Sequence, residues 1–236
     1  MPIELRNHLL LWWGSLHVGE RVRNRALRRA LRMHVHNGDA ILDAGCGRGD
    51  NALWVAQRYP AVAVHAVDMD PGLAALVQQR ADREHVRALI VQHANIEDPK
   101  SVIRHPSSPY GIIYSVDVFE HLTNPAAACA RLAQSLRPGG VLILHVPSRD
   151  QRRWFRRFER YAQHDHVREG FTRDELTALA TNAGLTVATA QYTFGPPGAL
   201  AWELFHILQD IGRPLVLLAY PVLWMLARVD GWFRWK

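Results

Sequence analysis

Cysteine is scarce in this chain, and its scarcity excludes two classes of structure. Among 236 residues only Cys46 and Cys129 are present, far apart in the sequence. Two such residues cannot build a disulfide framework, and their spacing is not that of a zinc site. This usage is typical of a reducing compartment, so we expect a cytoplasmic protein.

Signals for secretion and for a membrane span are also missing. The N-terminal stretch MPIELRNHLLLWW has no basic n-region of a signal peptide before its apolar part and no small-residue cleavage site, so we expect it in the mature protein. Near the other end, the apolar run from Pro214 to Ala227 has 14 residues and contains Pro221. A membrane-spanning helix needs about 20 residues. The sequence therefore predicts that this segment does not cross a bilayer.

Acidic residues are too few to balance the basic ones. The 28 lysines and arginines exceed the 22 aspartates and glutamates, which leaves a net charge of +6. This excess favours an anionic partner, either a nucleic acid, a phospholipid surface or a phosphorylated substrate.

What the sequence has in quantity is alternation between short apolar runs and helical patterns. The runs are apolar throughout, as in strands that are covered on both faces. They lie at 40–44, 62–67, 86–92, 111–116 and 141–146. This order predicts an α/β fold with a doubly wound, mostly parallel sheet of the Rossmann-like type, with helical additions at both ends.

Two helices carry clear start and stop signals. Asn124 is a predicted N-cap, and the Pro-Gly-Gly at 138–140 is the predicted stop of the helix that follows it. Thr172 and Glu175 have the spacing of a capping box, and Gly184 is the predicted glycine after the helix C-terminus.

A glycine-rich turn follows the first predicted strand. In the stretch DAGCGRGD, Gly45, Gly47 and Gly49 stand at alternate positions before a helical pattern. Such a turn lets a ligand approach the backbone and the free N–H groups of the helix. Asp68 ends the second strand, 23 residues after Gly45, where a carboxylate can accept hydrogen bonds from ribose hydroxyls. The two features together predict a nucleoside-containing cofactor.

The spacing argues against a dinucleotide. The dinucleotide fingerprint G-x-G-x-x-G places its third glycine one position later, where this chain has Asp50. With Asp43 before the glycines, two carboxylates lie near the turn. They suit an aminoacyl cation better than a pyrophosphate.

Six motifs in this order resemble those of the class I S-adenosylmethionine-dependent methyltransferases. They are ILDAGCGRG, AVDMD, HANIED, YSVDVFEHL, LRPGGVLILHVPS and HVREGFTRDELTALATNAGL. The resemblance covers roughly residues 38–190 and is greatest to the subgroup of ubiquinone and small-molecule methyltransferases. It implies that S-adenosylmethionine is the cofactor.

The resemblance also implies a set of cofactor-binding residues, one for each part of the cofactor. Asn95 stands where the family usually has aspartate, and an amide oxygen can still accept from the adenine amino group. The set is Asp43, Gly45, Cys46 and Gly47 for the methionine part, Asp68 for the ribose, Met69, Asn95 and Ile96 for the adenine, and Val116 and Asp117 beside the sulfonium.

A base is needed if the acceptor is a hydroxyl, and histidine is the usual choice. We predict His121 first and His166 second, with packing or helix capping as the alternative role for each. For His145 the role that we consider is packing within its strand. Asp117, Glu120 and His121 resemble an E-x-x-E-H pattern that binds a divalent cation in some quinone-pathway enzymes, but we predict no metal.

Two segments lie outside the shared motifs. The predicted organisation is a helical cap at 1–37, a methyltransferase core at 38–195 with a basic aromatic insertion at 148–170, and a hydrophobic segment at 196–236. In the insertion, helical spacing would place Trp154, Phe158 and Tyr161 on one face, among six arginines. The last segment, rich in tryptophan with basic residues near its end, is typical of a helix at headgroup level; a substrate lid and a homodimer interface are the alternatives.

The sequence therefore predicts an enzyme that methylates a lipophilic small molecule or a lipid-linked acceptor on oxygen. We expect it in the cytoplasm, peripherally attached to an anionic membrane surface. An RNA methyltransferase, or a non-catalytic module that binds nucleic acid through its arginines, is the alternative. Nucleic acid is the less expected partner because the base-methylation motif N-P-P-Y is absent; SVDVFEHL occupies its place.

Overall fold

The computed structural model describes residues 17–101, 103, 109–158 and 167–232. The strands are β1 Ala40–Ala44, β2 Ala63–Asp68, β3 Leu89–His93, β4 Tyr110–Val116 and β5 Leu136–His145. The helices are α1 Val18–His34, α2 Asp50–Arg58, α3 Pro71–Arg83, α4 Pro125–Gln134, α5 Arg173–Asn182, α6 Pro196–Ile211 and α7 Arg213–Val229. Short 3₁₀ turns occupy Phe119–His121, Arg156–Phe158 and Asp230–Trp232.

The five strands form one parallel sheet in the order β3-β2-β1-β4-β5. This confirms the predicted fold class. The order reverses direction between β1 and β4, and in open α/β sheets ligands bind at the carboxyl ends of the strands beside such a reversal. The ends of β1, β2, β4 and β5 are therefore where a site is expected.

The core lies around the central strands, which are buried along their length. Ile41 and Leu42 of β1 and Ile113 of β4 have no exposed surface. Each such side chain stabilises the fold by about 1.5–3 kcal/mol relative to an exposed position. The apolar runs without alternation are explained by this burial on both faces.

The helix start signals are confirmed, but one predicted stop is wrong. The Asn124 side chain accepts a hydrogen bond from the Ala127 N–H at 3.0 Å, and the Thr172 capping box is complete. Helix α4, however, ends at Gln134, and β5 starts at Leu136, so the Pro-Gly-Gly at 138–140 lies within β5. The pairing of β4 with β5 is irregular there, which accommodates the three residues.

The chain forms two compact units. The sheet unit comprises the described residues within 30–150 and 163–190, and the helical unit those within 1–29, 151–162 and 191–236. The sheet unit holds all five strands and every described residue of the predicted cofactor site.

The helical unit has its own apolar core between α1, α6 and α7. Its buried members are Val18, Val22, Ala201, Phe205, Val216, Leu223 and Ala227. Glu203 of α6 has no exposed surface, and its carboxylate accepts hydrogen bonds from the N–H groups of Trp154 and Phe155 at 2.8–3.1 Å.

That contact explains why the predicted helix through 154–161 is wrong in its described part. Residues 151–155 are not helical, and only the 3₁₀ turn Arg156–Phe158 follows them. The N–H groups that a helix would use are donated to Glu203 instead. Trp154 and Phe158 do not share an environment, since Trp154 is 52% exposed and Phe158 is 2% exposed. Tyr161 lies outside the described residues.

The predicted length of the last apolar segment is also wrong, whereas the prediction that the segment does not cross a membrane stays a prediction. Helix α7 continues through Pro221, and the 20-residue segment Arg213–Trp232 is long and apolar enough to span a bilayer. Proline removes one hydrogen bond in a helix, here to the carbonyl of Leu217. Both residues are exposed, so solvent can satisfy that carbonyl.

Candidate functional site

The glycine turn joins β1 to α2 and leaves open space over one residue. Gly45, Gly47 and Gly49 all have positive φ angles, of 86°, 53° and 76°. A Cβ on Gly45 would lie 2.4 Å from Val118, and one on Gly49 would lie 2.6 Å from Val77. Packing therefore requires these two glycines. A Cβ on Gly47 would meet no atom within 4 Å, so a ligand has room to approach the backbone there.

Asp68 lies at the end of β2 and faces this turn. One carboxylate oxygen accepts from the Gly47 N–H at 2.7 Å and the other from the Asp70 N–H at 3.0 Å. A carboxylate has about four acceptor positions. Two remain for ligand hydroxyls, so the residue fits its predicted role toward a ribose.

Asp43 is a buried acid under the turn. The Tyr114 hydroxyl donates a hydrogen bond to its carboxylate at 3.0 Å. Burial raises the pKa of Asp43 to about 7; the Tyr114 bond opposes this rise and the charge of Asp68 adds to it. Burial also raises the pKa of the Cys46 thiol, with the charges of Asp43 and Asp68 as smaller causes, so this thiol stays neutral at pH 7. A ligand cation would favour the ionised form of Asp43.

The residues predicted for the adenine lie after β2 and β3. Met69 is 62% exposed, and Ile96 is buried. The Asn95 amide oxygen accepts from the Glu97 N–H at 2.8 Å, which closes a local turn. Their role toward a cofactor stays a prediction.

The end of β4 carries an Asp–His hydrogen bond that sequence reasoning missed. Val116 of β4 pairs in register with His145 of β5, and Asp117 follows with a φ angle of 53°. The Asp117 carboxylate lies 2.7 Å from His145 Nδ1. His145 is therefore not merely a packing residue of the strand. Only the register of β4 with β5 brings the two residues together.

Of the two predicted bases, His121 lies within the described residues. His121 ends the 3₁₀ turn Phe119–His121 and is half-buried, next to the fully buried Glu120. His166 lies outside the described residues. Within the part of the chain that the structure describes, no group of three His, Cys, Asp or Glu side chains is arranged to hold a metal ion.

Comparison with known proteins extends these observations. A family model described as a methyltransferase domain matches residues 17–190. The trans-aconitate 2-methyltransferase of Deinococcus radiodurans is 28% identical over 83% of this chain and 66% of its own length. The malonyl-[acyl-carrier protein] O-methyltransferase of Geobacter sulfurreducens is 27% identical over 69% of this chain and 62% of its own length.

A solved structure agrees in fold. Coclaurine N-methyltransferase, bound to N-methylheliamine and SAH, superposes with a TM-score of 0.59 at 17% identity, over 88% of this chain and 67% of that one. The chain spans 25%, 66% and 38% of the length of three curated relatives that it matches.

Proposed function

The chain belongs to the methyltransferase-domain family and is an enzyme that uses S-adenosylmethionine, and on this premise we propose that it methylates an oxygen atom of a lipophilic acceptor at a membrane surface. The observation that carries the proposal is the exposed apolar face of α7. An enzyme held at a membrane meets acceptors that are dissolved in or anchored to the lipid, such as a quinone-like precursor or a lipid-linked glycan.

The residues of the sheet unit fit the cofactor. The open space over Gly47, the two remaining acceptor positions of Asp68 and the buried Asp43 suit a ligand with a ribose and a positive charge. When bound, S-adenosylmethionine supplies an electrophilic methyl group on a positively charged sulfur. The protein's own contribution is to orient the two reactants and to accept a proton where the acceptor needs it.

The exposed face of α7 is apolar between its two ends. Leu218, Val222 and Met225 are 80%, 56% and 53% exposed, and Trp232 after the helix is 84% exposed. Arg213 and Arg228, near the two ends, are exposed as well. An apolar stripe between cationic ends, with a tryptophan at one end, suits the boundary between lipid headgroups and acyl chains.

Contacts on the opposite face of α7 favour a position on the membrane surface over a transmembrane position. The Arg21 guanidinium donates to the Tyr220 hydroxyl at 2.7 Å, and Arg25 donates to the carbonyls of Ala227 and Arg228. A spanning α7 would either break these contacts or carry two arginines into the hydrocarbon, which is costly. We therefore place the enzyme peripherally on an anionic membrane, at its cytoplasmic side.

The choice of oxygen is supported by one relative. The Geobacter enzyme is named as an O-methyltransferase. The Deinococcus relative is named for trans-aconitate, which is a water-soluble tricarboxylic acid. A lipophilic acceptor would thus set this chain apart from that relative, and the exposed face of α7 is the reason to expect one.

The test is a label-transfer experiment. Purified enzyme is incubated with methyl-tritiated S-adenosylmethionine and a lipid extract of the source organism, and the products are separated by solubility. We expect tritium in the organic phase that resists mild alkali, since an ether survives conditions that cleave a methyl ester. Asp68→Ala should abolish the methyl transfer because the ribose hydroxyls of the cofactor lose a hydrogen-bond acceptor. Asp82→Ala, on the exposed side of α3, should leave the transfer unchanged.

Label recovered only in trans-aconitate, or only in RNA added to the same reaction, would overturn the lipophilic acceptor. Label in the organic phase that is released by mild alkali would show a carboxylate acceptor and contradict the hydroxyl.

A further inference from the structure

The carboxyl ends of β4 and β5 hold an Asp–His pair, of which Asp117 is also predicted to lie beside the sulfonium of the cofactor. The Asp117 carboxylate lies 2.7 Å from His145 Nδ1, and the Asp117 N–H donates to the His145 carbonyl at 2.9 Å. The aspartate is thus joined to the histidine through both its side chain and its backbone. Its φ angle of 53° is unusual for a residue with a side chain, and such backbone strain occurs often at functional sites.

The hydrogen bond sets the tautomer of the imidazole. An ionised carboxylate can only accept hydrogen bonds, so His145 Nδ1 must carry the proton. In neutral imidazole the other nitrogen, Nε2, then has a free lone pair. Within the described residues no protein group hydrogen-bonds to Nε2, and the His145 side chain is 17% exposed.

The pair lies next to the glycine turn. Val118, the residue after Asp117, fills the space beside Gly45. In the preceding strand, Tyr114 holds the carboxylate of Asp43. The pair therefore occupies the same edge of the sheet as the residues that fit the cofactor, on the side of β4 and β5.

We propose that His145 is the general base of the methyl transfer and that Asp117 is its positioning residue. As the acceptor oxygen forms its bond to the methyl carbon, the hydroxyl proton moves to Nε2 of His145. The bond between that carbon and sulfur breaks with its electron pair remaining on sulfur, which becomes a neutral thioether. The imidazolium that results is stabilised by the carboxylate of Asp117.

The pair also defines the class of acceptor. This step rests on the proposed function, the methylation of an oxygen. A carboxylate is already ionised at neutral pH and has no proton to lose, whereas an unperturbed phenol has a pKa of about 10. An oriented base therefore assists the methylation of a phenol and not that of a carboxylate. We infer that the acceptor is a weakly acidic hydroxyl.

The tautomer is tested without any acceptor. Nitrogen NMR of histidine-labelled protein, at a pH where the imidazole is neutral, distinguishes a protonated Nδ1 from a protonated Nε2. We expect His145 as the Nδ1–H form in the wild type and a shift toward the Nε2–H form in Asp117→Ala. His145→Asn assigns the signal by removing it. A wild-type His145 protonated at Nε2 would overturn the proposal.

Catalysis is tested with two phenols in neutral detergent micelles. The hydroxyl of para-heptylphenol is protonated at the assay pH, and that of para-nitrophenol is largely ionised. His145→Asn keeps an N–H toward Asp117 but has no base, so its kcat on para-heptylphenol should fall by about 10²–10⁴-fold. The loss on para-nitrophenol should be far smaller, and the Kd for S-adenosylmethionine should stay within about two-fold, since the base is not asked to bind the cofactor. His36→Ala, at an exposed histidine outside the site, is the matched control.

The outcomes separate this inference from the proposed function. Equal losses on both phenols would show a structural role for His145, and no loss on either would exclude it as the base. In both cases methylation of a lipophilic hydroxyl by the wild type would still stand. A wild type that methylates neither phenol counts against the proposed function, and the protonated nitrogen of His145 then decides the inference.

Discussion

At the scale of single residues, three aspartates at neighbouring strand ends have different environments. Asp43 is buried and bonded to a phenol hydroxyl, Asp68 accepts from two backbone N–H groups, and Asp117 pairs with an imidazole. The same side chain can therefore meet a cation, hydroxyl groups or a base. Only the surroundings distinguish the three roles.

Asp43 should make the stability of the cofactor-free enzyme depend on pH. In the folded protein its pKa is about 7, whereas in the unfolded chain an aspartate has a pKa of about 4. Its contribution to the free energy of unfolding is therefore fully present below about pH 4 and is lost as the pH rises through about 7. Relative to Asp43→Asn, which cannot ionise, we expect the wild type to lose a few kcal/mol between these limits.

Urea unfolding of both proteins across this range, without cofactor, measures the effect. Taking the difference between the two proteins cancels the other titrating groups. Saturating S-adenosylmethionine should reduce the difference at high pH because its positive charge favours the ionised aspartate. Parallel stability profiles of wild type and Asp43→Asn would contradict the raised pKa.

At the scale of elements, α6 and α7 are joined by a carboxylate. Asp230, directly after α7, is buried and accepts hydrogen bonds from the N–H groups of Gly195 and Gly198, at the start of α6. A Cβ on Gly198 would lie 2.5 Å from this side chain, so a glycine is required there. Asp230 thus caps α6 from a distant part of the chain, because the N-cap residue Gly195 has no side chain that could do so.

Asp230→Ala should destabilise the helical unit by about 1–3 kcal/mol, because two buried N–H groups lose their acceptor. Asp210→Ala is the matched control. Asp210 pairs with Arg157 at an exposed position, where an ion pair is worth at most about 1 kcal/mol. Thermal unfolding followed by circular dichroism compares the two. Equal shifts of Tm in the two variants would refute the capping role.

At the scale of the whole molecule, the proposed membrane attachment depends on α7. Leu218→Glu places a charge on the most exposed part of its apolar face, and Gln209→Glu adds the same charge at an exposed position of α6. We expect the wild type and Gln209→Glu to float with anionic liposomes, and Leu218→Glu to remain in the soluble fraction. The reason is that burying a carboxylate among acyl chains is unfavourable.

Salt and oligomeric state complete this experiment. Because the proposed attachment combines apolar burial with charge, flotation should weaken but persist at high salt. Wild-type protein that stays soluble with liposomes, and that changes from dimer to monomer on Leu218→Glu, would instead make the face a homodimer interface. Resistance to alkaline extraction would indicate that α7 spans the bilayer.

Features that depend on residues close together in the sequence could be predicted from the sequence alone. The buried strands, the Asn124 and Thr172 caps and the glycine turn before α2 are each determined by a few consecutive side chains and their permitted backbone angles. Because parallel strands present their carboxyl ends at one edge, the sequence also determined that Asp43, Asp68 and Asp117 lie at the same edge of the sheet.

Only the tertiary structure decided the features that depend on distant partners. The register of β4 with β5 brings His145 to Asp117, and no spacing in the sequence encodes that register. Glu203 accepts hydrogen bonds from the N–H groups of Trp154 and Phe155, so the helix that the local pattern favours does not form there. Exposure to solvent lets α7 continue through Pro221. In each case the free energy comes from a contact or a surface that exists only once the chain has folded.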